Sequence, residues 1–166
     1  MHTVTLIGMP GAGKSTVGHW LAAELDLPFI DTDALIVAGA GQSLQSIITT
    51  EGLEGLGRWE ERVLTGIHQP AGVISTGGSA VYSEKGMEHL RTLGPVVYLH
   101  CDLATLLQRI GDHGERGILK RENQSFEDLF AEREVLYQRY ADFTVSSHHK
   151  TVDALGKEII ALLGGP

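Results

Sequence analysis

Residues 8–16 read Gly8-Met9-Pro10-Gly11-Ala12-Gly13-Lys14-Ser15-Thr16. They fit the phosphate-binding pattern G-x-x-x-x-G-K-[ST], with Gly8, Gly13, Lys14 and Ser15 in the fixed places. The flanks fit as well. Val4-Thr5-Leu6-Ile7 is a short apolar run suited to a buried strand, and Val17, Leu21 and Leu25 recur at i, i+4, i+8 on one face of a helix. In a strand–glycine loop–helix unit, backbone N–H groups turn inward around a polyphosphate and the helix N-terminus adds its positive end. Gly11, Ala12, Gly13, Lys14, Ser15 and Thr16 are therefore the expected nucleotide-binding residues. Lys14 would reach the β- and γ-phosphates, and the Ser15 hydroxyl would bind Mg²⁺.

The chain has 166 residues, enough for one domain with a real core. It is 42% hydrophobic and 20% charged, an ordinary balance for a soluble globular protein. A net charge of −8 argues against a nucleic-acid binder, which needs a basic face. No apolar run approaches the ~18 residues of a membrane span, and acidic residues and the glycine loop come too early for a secretory leader. The single Cys101 excludes an internal disulfide and suits a reducing, cytoplasmic setting. It reads as a small buried hydrophobe at a strand end.

Five apolar runs read as strands: Val4–Ile7, Phe29–Ile30, Val73–Ser75, Val96–Leu99 and Phe143–Ser146. Helical patterns separate them, so the expected fold class is three-layer α/β/α with a parallel sheet covered on both faces. Leu53, Leu56, Trp59, Val63 and Ile67 form a helical stripe in a segment that also carries Gly52, Gly55, Gly57 and Gly66. Each interior glycine weakens a helix by about 1 kcal/mol, which predicts a soft or short helix there. Residues 111–124 are polar, with glycines at 111, 114 and 117, and read as the most mobile segment. The eight histidines show no metal-ligand spacing, and His148-His149 read as solvated.

Beyond the loop, Asp31-Thr32-Asp33 directly follows the second strand. Ligands of open α/β sheets bind beyond the carboxyl ends of strands. Asp31 could hold Mg²⁺ directly or through water. Asp33 could orient or deprotonate an attacking hydroxyl; the plainer alternative is that it caps the next helix. Gly77 and Gly78 follow the third strand, where they either admit a ligand close to the backbone or simply make a tight turn. Ser125 and Asp128 resemble a capping box opening a helix to Tyr140. Arg133 falls on that helix's apolar stripe with Phe126, Leu129, Phe130, Leu136, Tyr137 and Tyr140. An inward arginine must find an anion: a bound carboxylate or phosphate, or a structural partner such as Glu60. Arg116, in the glycine-bearing segment, is placed where a closing lid could bring it onto a transferring phosphoryl group.

These residues resemble the shikimate kinases, small relatives of the nucleoside-monophosphate kinases. The resemblance runs nearly end to end: GMPGAGKSTVG, Asp31-Thr32-Asp33, GQSLQSII, Glu60, STGGSAV at 75–81, Arg116 with Gly117-Ile118-Leu119, and Arg133 through Asp142. It implies one domain over 1–166, strand order 2-3-1-4-5, a substrate region at about 33–62 and a lid at about 111–124. It also implies Asp31 as the magnesium-associated carboxylate, Arg109 flanking adenine, and Asp33, Gly78 and Arg133 as substrate-binding positions, with Gly77 beside them. The implied activity is transfer of the ATP γ-phosphate to a hydroxyl of a small metabolite, shikimate first among the candidates. Lys14, Asp33 and Arg116 are then the catalytic residues, and the chain is expected to act as a monomer.

The chain also departs from the family pattern. Leu56-Gly57 stands where the family has Phe-Arg, and that arginine reads the shikimate carboxylate. Arg58 is adjacent, but one helical step turns it about 100° away. Ser79 replaces a third glycine, which puts a hydroxymethyl where the ligand should pass. Ile48 replaces a pocket phenylalanine, Arg116-Gly117 replaces Arg-Pro in the lid, and Val135 replaces a proline. Loss of one partner of a desolvated charge pair costs ~2–5 kcal/mol, roughly thirtyfold to several-thousandfold in affinity. A kinase of a different hydroxylated small molecule and a non-catalytic ATP-binding regulatory module are the alternatives this raises. A GTPase lacks its Asn-Lys-x-Asp segment here, and a nucleoside-monophosphate kinase needs a larger base-binding region than the stretch after Asp33 provides.

Overall fold

The computed structural model describes residues 2–111 and 123–165. Five parallel strands form one sheet: β1 (Val4–Ile7), β2 (Phe29–Asp31), β3 (Val73–Ser75), β4 (Val96–His100) and β5 (Phe143–Ser146). Their order is β2-β3-β1-β4-β5. The expected fold class and order are borne out, and the five apolar runs mark the strands to within a residue. The three inner strands are almost wholly buried, as a sheet covered on both faces requires, whereas the edge strands β2 and β5 are only partly buried.

The helices are α1 (Lys14–Leu25), α2 (Thr32–Ala40), α3 (Leu44–Thr65), α4 (Glu84–Leu93), α5 (Leu103–Gly111), α6 (Phe126–Tyr140) and α7 (Val152–Leu162), with a short 3₁₀ turn at Ala80–Tyr82. Several start where a side chain can satisfy the first free N–H groups. Ser43, Ser83, Ser125 and Thr151 each cap the helix that follows, Ser125 accepting from Asp128 N at 3.0 Å. At α2 the cap is Asp31, whose Oδ1 accepts from Asp33 N (2.9 Å) and Ala34 N (3.2 Å). The capping alternative considered for Asp33 is thereby corrected: the residue at the strand end, not the one inside the first turn, has the extended backbone that a cap needs.

The glycine-bearing helix α3 is broken rather than merely soft. Gly52 adopts φ 73°, ψ −179°, a left-handed-side conformation that divides the segment into two helical pieces. The kink leaves Leu53, expected on the apolar stripe, 41% exposed, while Leu56 stays buried. Ile36, Ile47 and Leu56 form a small cluster of their own between α2 and α3, flanked by Leu44, Ile48, Trp59 and Val63. The main core lies on the two faces of the sheet, from Leu6, Ile7 and Leu21 to Leu99, Tyr137 and Ile159.

The register explains why the site lies where it does. Leu6 pairs with Ser75 and Val97, and Asp31 also pairs with Ser75. The segments after β1, β2 and β3 therefore leave the sheet at one edge. Here β1 lies between β3 and β4, the point at which the connections switch sides and ligands bind.

Behind the sheet, α1 and α7 meet at Gly156, where an added Cβ would overlap the Trp20 ring. A helix-interior Gly→Ala change normally gains about 1 kcal/mol. We expect Gly156→Ala to lower unfolding stability instead, by about 1–3 kcal/mol. Chemical denaturation measures it, and a stabilised variant would show that Trp20 yields freely.

Candidate functional site

Gly8, Gly11 and Gly13 have φ of 150°, 85° and 97°. Gly8 also has no room for a side chain, because a Cβ there would stand 2.7 Å from Leu99 O. The loop is folded around its own lysine. Lys14 Nζ donates to Gly8 O at 2.6 Å and to Met9 O at 2.8 Å, and the side chain is buried. Burial pushes its pKa down to about 8 despite support from Asp33 and Asp31; the nearby Arg133 adds to the depression. Ser15 and Thr16 are exposed on the first turn of α1. Arg109, from α5, reaches across and donates Nη1 to Gly11 O at 2.7 Å.

Asp33 is brought against the loop as expected. Burial and the neighbouring Asp31 charge raise its pKa, and Lys14 opposes them. Gly77 is where Asp33 fits: a Cβ on Gly77 would collide with the Asp33 carboxylate. The Gly77 N–H points to Thr32 Oγ1 at 3.3 Å. Gly78 plays the same part for Arg133. A Cβ there would stand 2.8 Å from Arg133 Nη1 and 2.8 Å from Pro10 Cδ. The glycine pair thus makes room for two of the protein's own charged side chains.

Arg133 is 1% exposed, as its place on the apolar stripe predicts. Its Nε donates to Tyr82 Oη at 3.4 Å and its guanidinium lies 5.4 Å from the Tyr82 ring centre. Tyr82 in turn donates to Glu132 at 2.6 Å. Glu60 is buried within electrostatic reach of both Arg133 and Asp33, and both its carboxylate oxygens accept the Ser79 hydroxyl at 2.9 Å. Ser79 is held on the side of Glu60. Its hydroxyl turns to Glu60 because a buried carboxylate needs a donor.

Tyr82 and Tyr137 have no distinguishing signal in the sequence. Tyr137 reads as one more aromatic on the α6 stripe, yet its hydroxyl donates to Gly78 O at 2.6 Å and so fixes the glycine pair. Gly57 is exposed, with nothing among the described residues within 4 Å of a Cβ built on it. It stands three residues before Glu60 and so on nearly the same helix face. Arg58 is exposed, its Nη2 3.6 Å from where a Gly55 Cβ would lie, back along its own helix. The proposed lid and Arg116 lie outside the described residues, apart from Gly111, Asn123 and Gln124 at the ends.

The arrangement joins a phosphate loop to a buried set of opposed charges. A family model described as shikimate kinase matches residues 10–163. The chain belongs to the shikimate kinase family. A shikimate kinase from Vibrio campbellii is 34% identical over 163 residues, covering 96% of this chain and 95% of that protein. Among solved structures, the shikimate kinase from Acinetobacter baumannii, in complex with shikimate, matches with a TM-score of 0.88 at 33% identity, covering 98% of this chain and 93% of the other. The shikimate kinase from Aquifex aeolicus matches with a TM-score of 0.84 at 32% identity, over 98% and 96% of the two chains. An ATP-dependent kinase of the shikimate kinase class therefore occupies this fold.

Burial, chiefly, pushes the pKa of Glu60 up to about 7 from 4.5, with the Ser79 bond opposing. An acid raised in the folded state keeps a proton that the unfolded chain has already released. Its contribution to stability is therefore fully present below about pH 4.5 and lost as pH rises through about 7. We expect Glu60→Gln to flatten the fall in thermal midpoint between those limits. Asp33 acts in the same direction and is coupled to Glu60, so the wild-type-minus-variant difference reads Glu60 together with that coupling, and parallel profiles would show that Glu60 does not titrate there.

Proposed function

We propose that this chain phosphorylates shikimate with ATP, and that Lys14, Asp33 and Arg133 are the residues on which transfer and acceptor binding rest. The observation that carries this reading is the convergence of these three buried or half-buried charges at the mouth of the phosphate loop. The ATP phosphates would lie on the N–H groups of Gly11, Ala12, Gly13, Lys14, Ser15 and Thr16. Lys14 would then leave the carbonyls of Gly8 and Met9 for the β- and γ-phosphates, where its charge offsets the charge developing in transfer. Arg109, already against the loop, would flank the adenine.

Asp33 would orient the acceptor hydroxyl and take its proton, a task suited to a carboxylate of raised pKa. Arg133 would hold an anionic group of the acceptor beside Gly77 and Gly78. Arg116 would close on the transferring group with the lid at about 111–124, and residues 33–62 would form the acceptor side. For the metal, a hydroxyl and a carboxylate are hard oxygen donors of the kind Mg²⁺ takes. Ser15 is exposed, and Asp31 has one oxygen on the α2 cap and the other spare, so both fit. Bound there, Mg²⁺ would neutralise phosphate charge and favour in-line geometry. We further place the chain in the cytoplasm as a single-domain monomer. The lone, buried Cys101 suits a reducing compartment, and among the described residues no helix is long and apolar enough to cross a membrane.

Coupled ADP release with shikimate, with phosphorus NMR of the product, tests the assignment. Lys14→Ala is expected to lower kcat by at least about 100-fold; full turnover in that variant would remove Lys14 from the mechanism. A second reading, a different hydroxylated acceptor, is favoured by the open space at Gly57. Gly57→Arg fills that space, strengthens the helix and supplies a carboxylate-binding guanidinium. If shikimate is the acceptor and lacks only this contact, its KM should fall by about tenfold or more. An unchanged KM, with another hydroxy acid preferred, would favour the second reading.

A further inference from the structure

Cys101, Asp102 and His148 meet at the carboxyl edge of β4 and β5. Cys101 and Asp102 directly follow β4, and His148 lies two residues beyond β5. The register pairs His100 with Ser146, so the residues leaving the two strands are neighbours despite their separation in sequence. One ligand atom from each, the Cys101 sulfur, an Asp102 carboxylate oxygen and a His148 ring nitrogen, lies within 4.8 Å of the other two. The linear spacing of the histidines does not show this grouping, and the solvated reading holds for the exposed His149 but not for His148. His148 is half-buried, and parallel pairing assembles what the linear pattern keeps apart.

A second observation points the same way. His148 Nδ1 is buried and has no hydrogen-bond partner among the described residues. A buried imidazole nitrogen left without a partner is costly unless something completes it. Its position is held from both sides. Ser147 donates its N–H (2.7 Å) and its hydroxyl (3.2 Å) to His100 O, fastening the loop to β4. His149 then turns the chain with a left-handed φ of 60°. Asp102 Oδ1 accepts from Thr105 N at 2.8 Å, and the Thr105 side chain also hydrogen-bonds the carboxylate, which fixes it at the start of α5.

We propose that Cys101, Asp102 and His148 bind one divalent ion of the zinc class, at a place distinct from the phosphate loop. Thiolate, imidazole and carboxylate together are a zinc donor set, whereas Mg²⁺ takes oxygen alone. Tetrahedral coordination with bonds near 2.0–2.3 Å sets ligand atoms about 3.5 Å apart. The three groups need to close by about 1 Å, which side-chain rotation supplies. As the sulfur–metal bond forms, the thiol proton passes to solvent. Three protein ligands leave a fourth position for water. The ion would sit at the start of α5, the helix that carries Arg109 onto Gly11.

The test is a Co²⁺ titration of the whole chain in excess Mg²⁺, which occupies oxygen-only sites. The chain has one cysteine, so a thiolate-to-cobalt charge-transfer band can come only from Cys101. We expect one equivalent of Co²⁺ to give that band, Zn²⁺ to displace it, and Cys101→Ser to abolish it. His148→Ala, in a half-exposed loop where folding is not at stake, should weaken Co²⁺ binding by more than about 100-fold, since loss of even an outer-sphere partner costs 10–100-fold. No band in the wild-type chain, or unchanged affinity in His148→Ala, would overturn the site. Neither result depends on phosphoryl transfer.

Discussion

The site rests on a balance of buried charge. Arg133, Glu60 and Lys14 are almost completely enclosed, and Asp33 is half-buried among them. A single ion in such surroundings is strongly unfavourable, and it persists only where opposite charges and hydrogen bonds surround it. Much of the local architecture meets that demand. Gly77 and Gly78 lack side chains so that Asp33 and Arg133 can lie against the backbone. Tyr137 holds the second glycine by its carbonyl, and Ser79 hydrogen-bonds both Glu60 oxygens. Lys14 takes the two carbonyls that the sharp turn of the loop presents to it. A phosphate and an anionic acceptor would enter a place where cations are already fixed and partly desolvated, the condition under which such contacts are strongest.

The nucleotide half of this arrangement was legible in sequence because its signals are local. A glycine loop between a strand and a helix has fixed spacing, and every residue of it lies within one βα unit. Arg133 was legible for a related reason, since a charge on an apolar helical stripe is visible without knowing what it meets. What sequence did not show is contact between elements. The part of Ser79 depends on Glu60 arriving from α3, and that of Tyr137 on the carbonyl of Gly78 lying above α6. Asp31 and Asp33 are two residues apart and chemically alike, so only the backbone at the strand end decides which of them caps α2. The break in α3 was visible as an excess of glycine, but four glycines compete for it, and Gly52 alone takes the left-handed-side conformation. The Cys101–Asp102–His148 group was invisible for the same reason, because strand pairing, not spacing, brings it together.

The two halves of the molecule are also packed differently, and this bears on how the acceptor side can differ from the family pattern while the loop does not. The phosphate loop is continuous with the main core: Met9 and Ala12 are buried in it, and Gly8 presses on the backbone of β4. Change there disturbs the sheet. The segment from α2 into α3 instead gathers Ile36, Ile47 and Leu56 into a separate cluster, joined to the rest through the later turns of α3 and the buried Glu60. At Gly57 a side chain would meet nothing within 4 Å among the described residues. If this segment forms the acceptor side, as proposed, a substitution at such a position would alter what the acceptor meets with small consequence for folding, because stability lost or gained there is confined to a few exposed contacts. Glu60 is the exception, since its carboxylate is tied both to α3 and to the loop that carries Gly77 and Gly78. The proposed acceptor region could therefore be rebuilt around Glu60 but not through it: Glu60, Ser79 and Arg133 form one bonded or charge-coupled group beside the altered Leu56-Gly57, and Ser79, itself a departure from the family's third glycine, is tied into that group through Glu60.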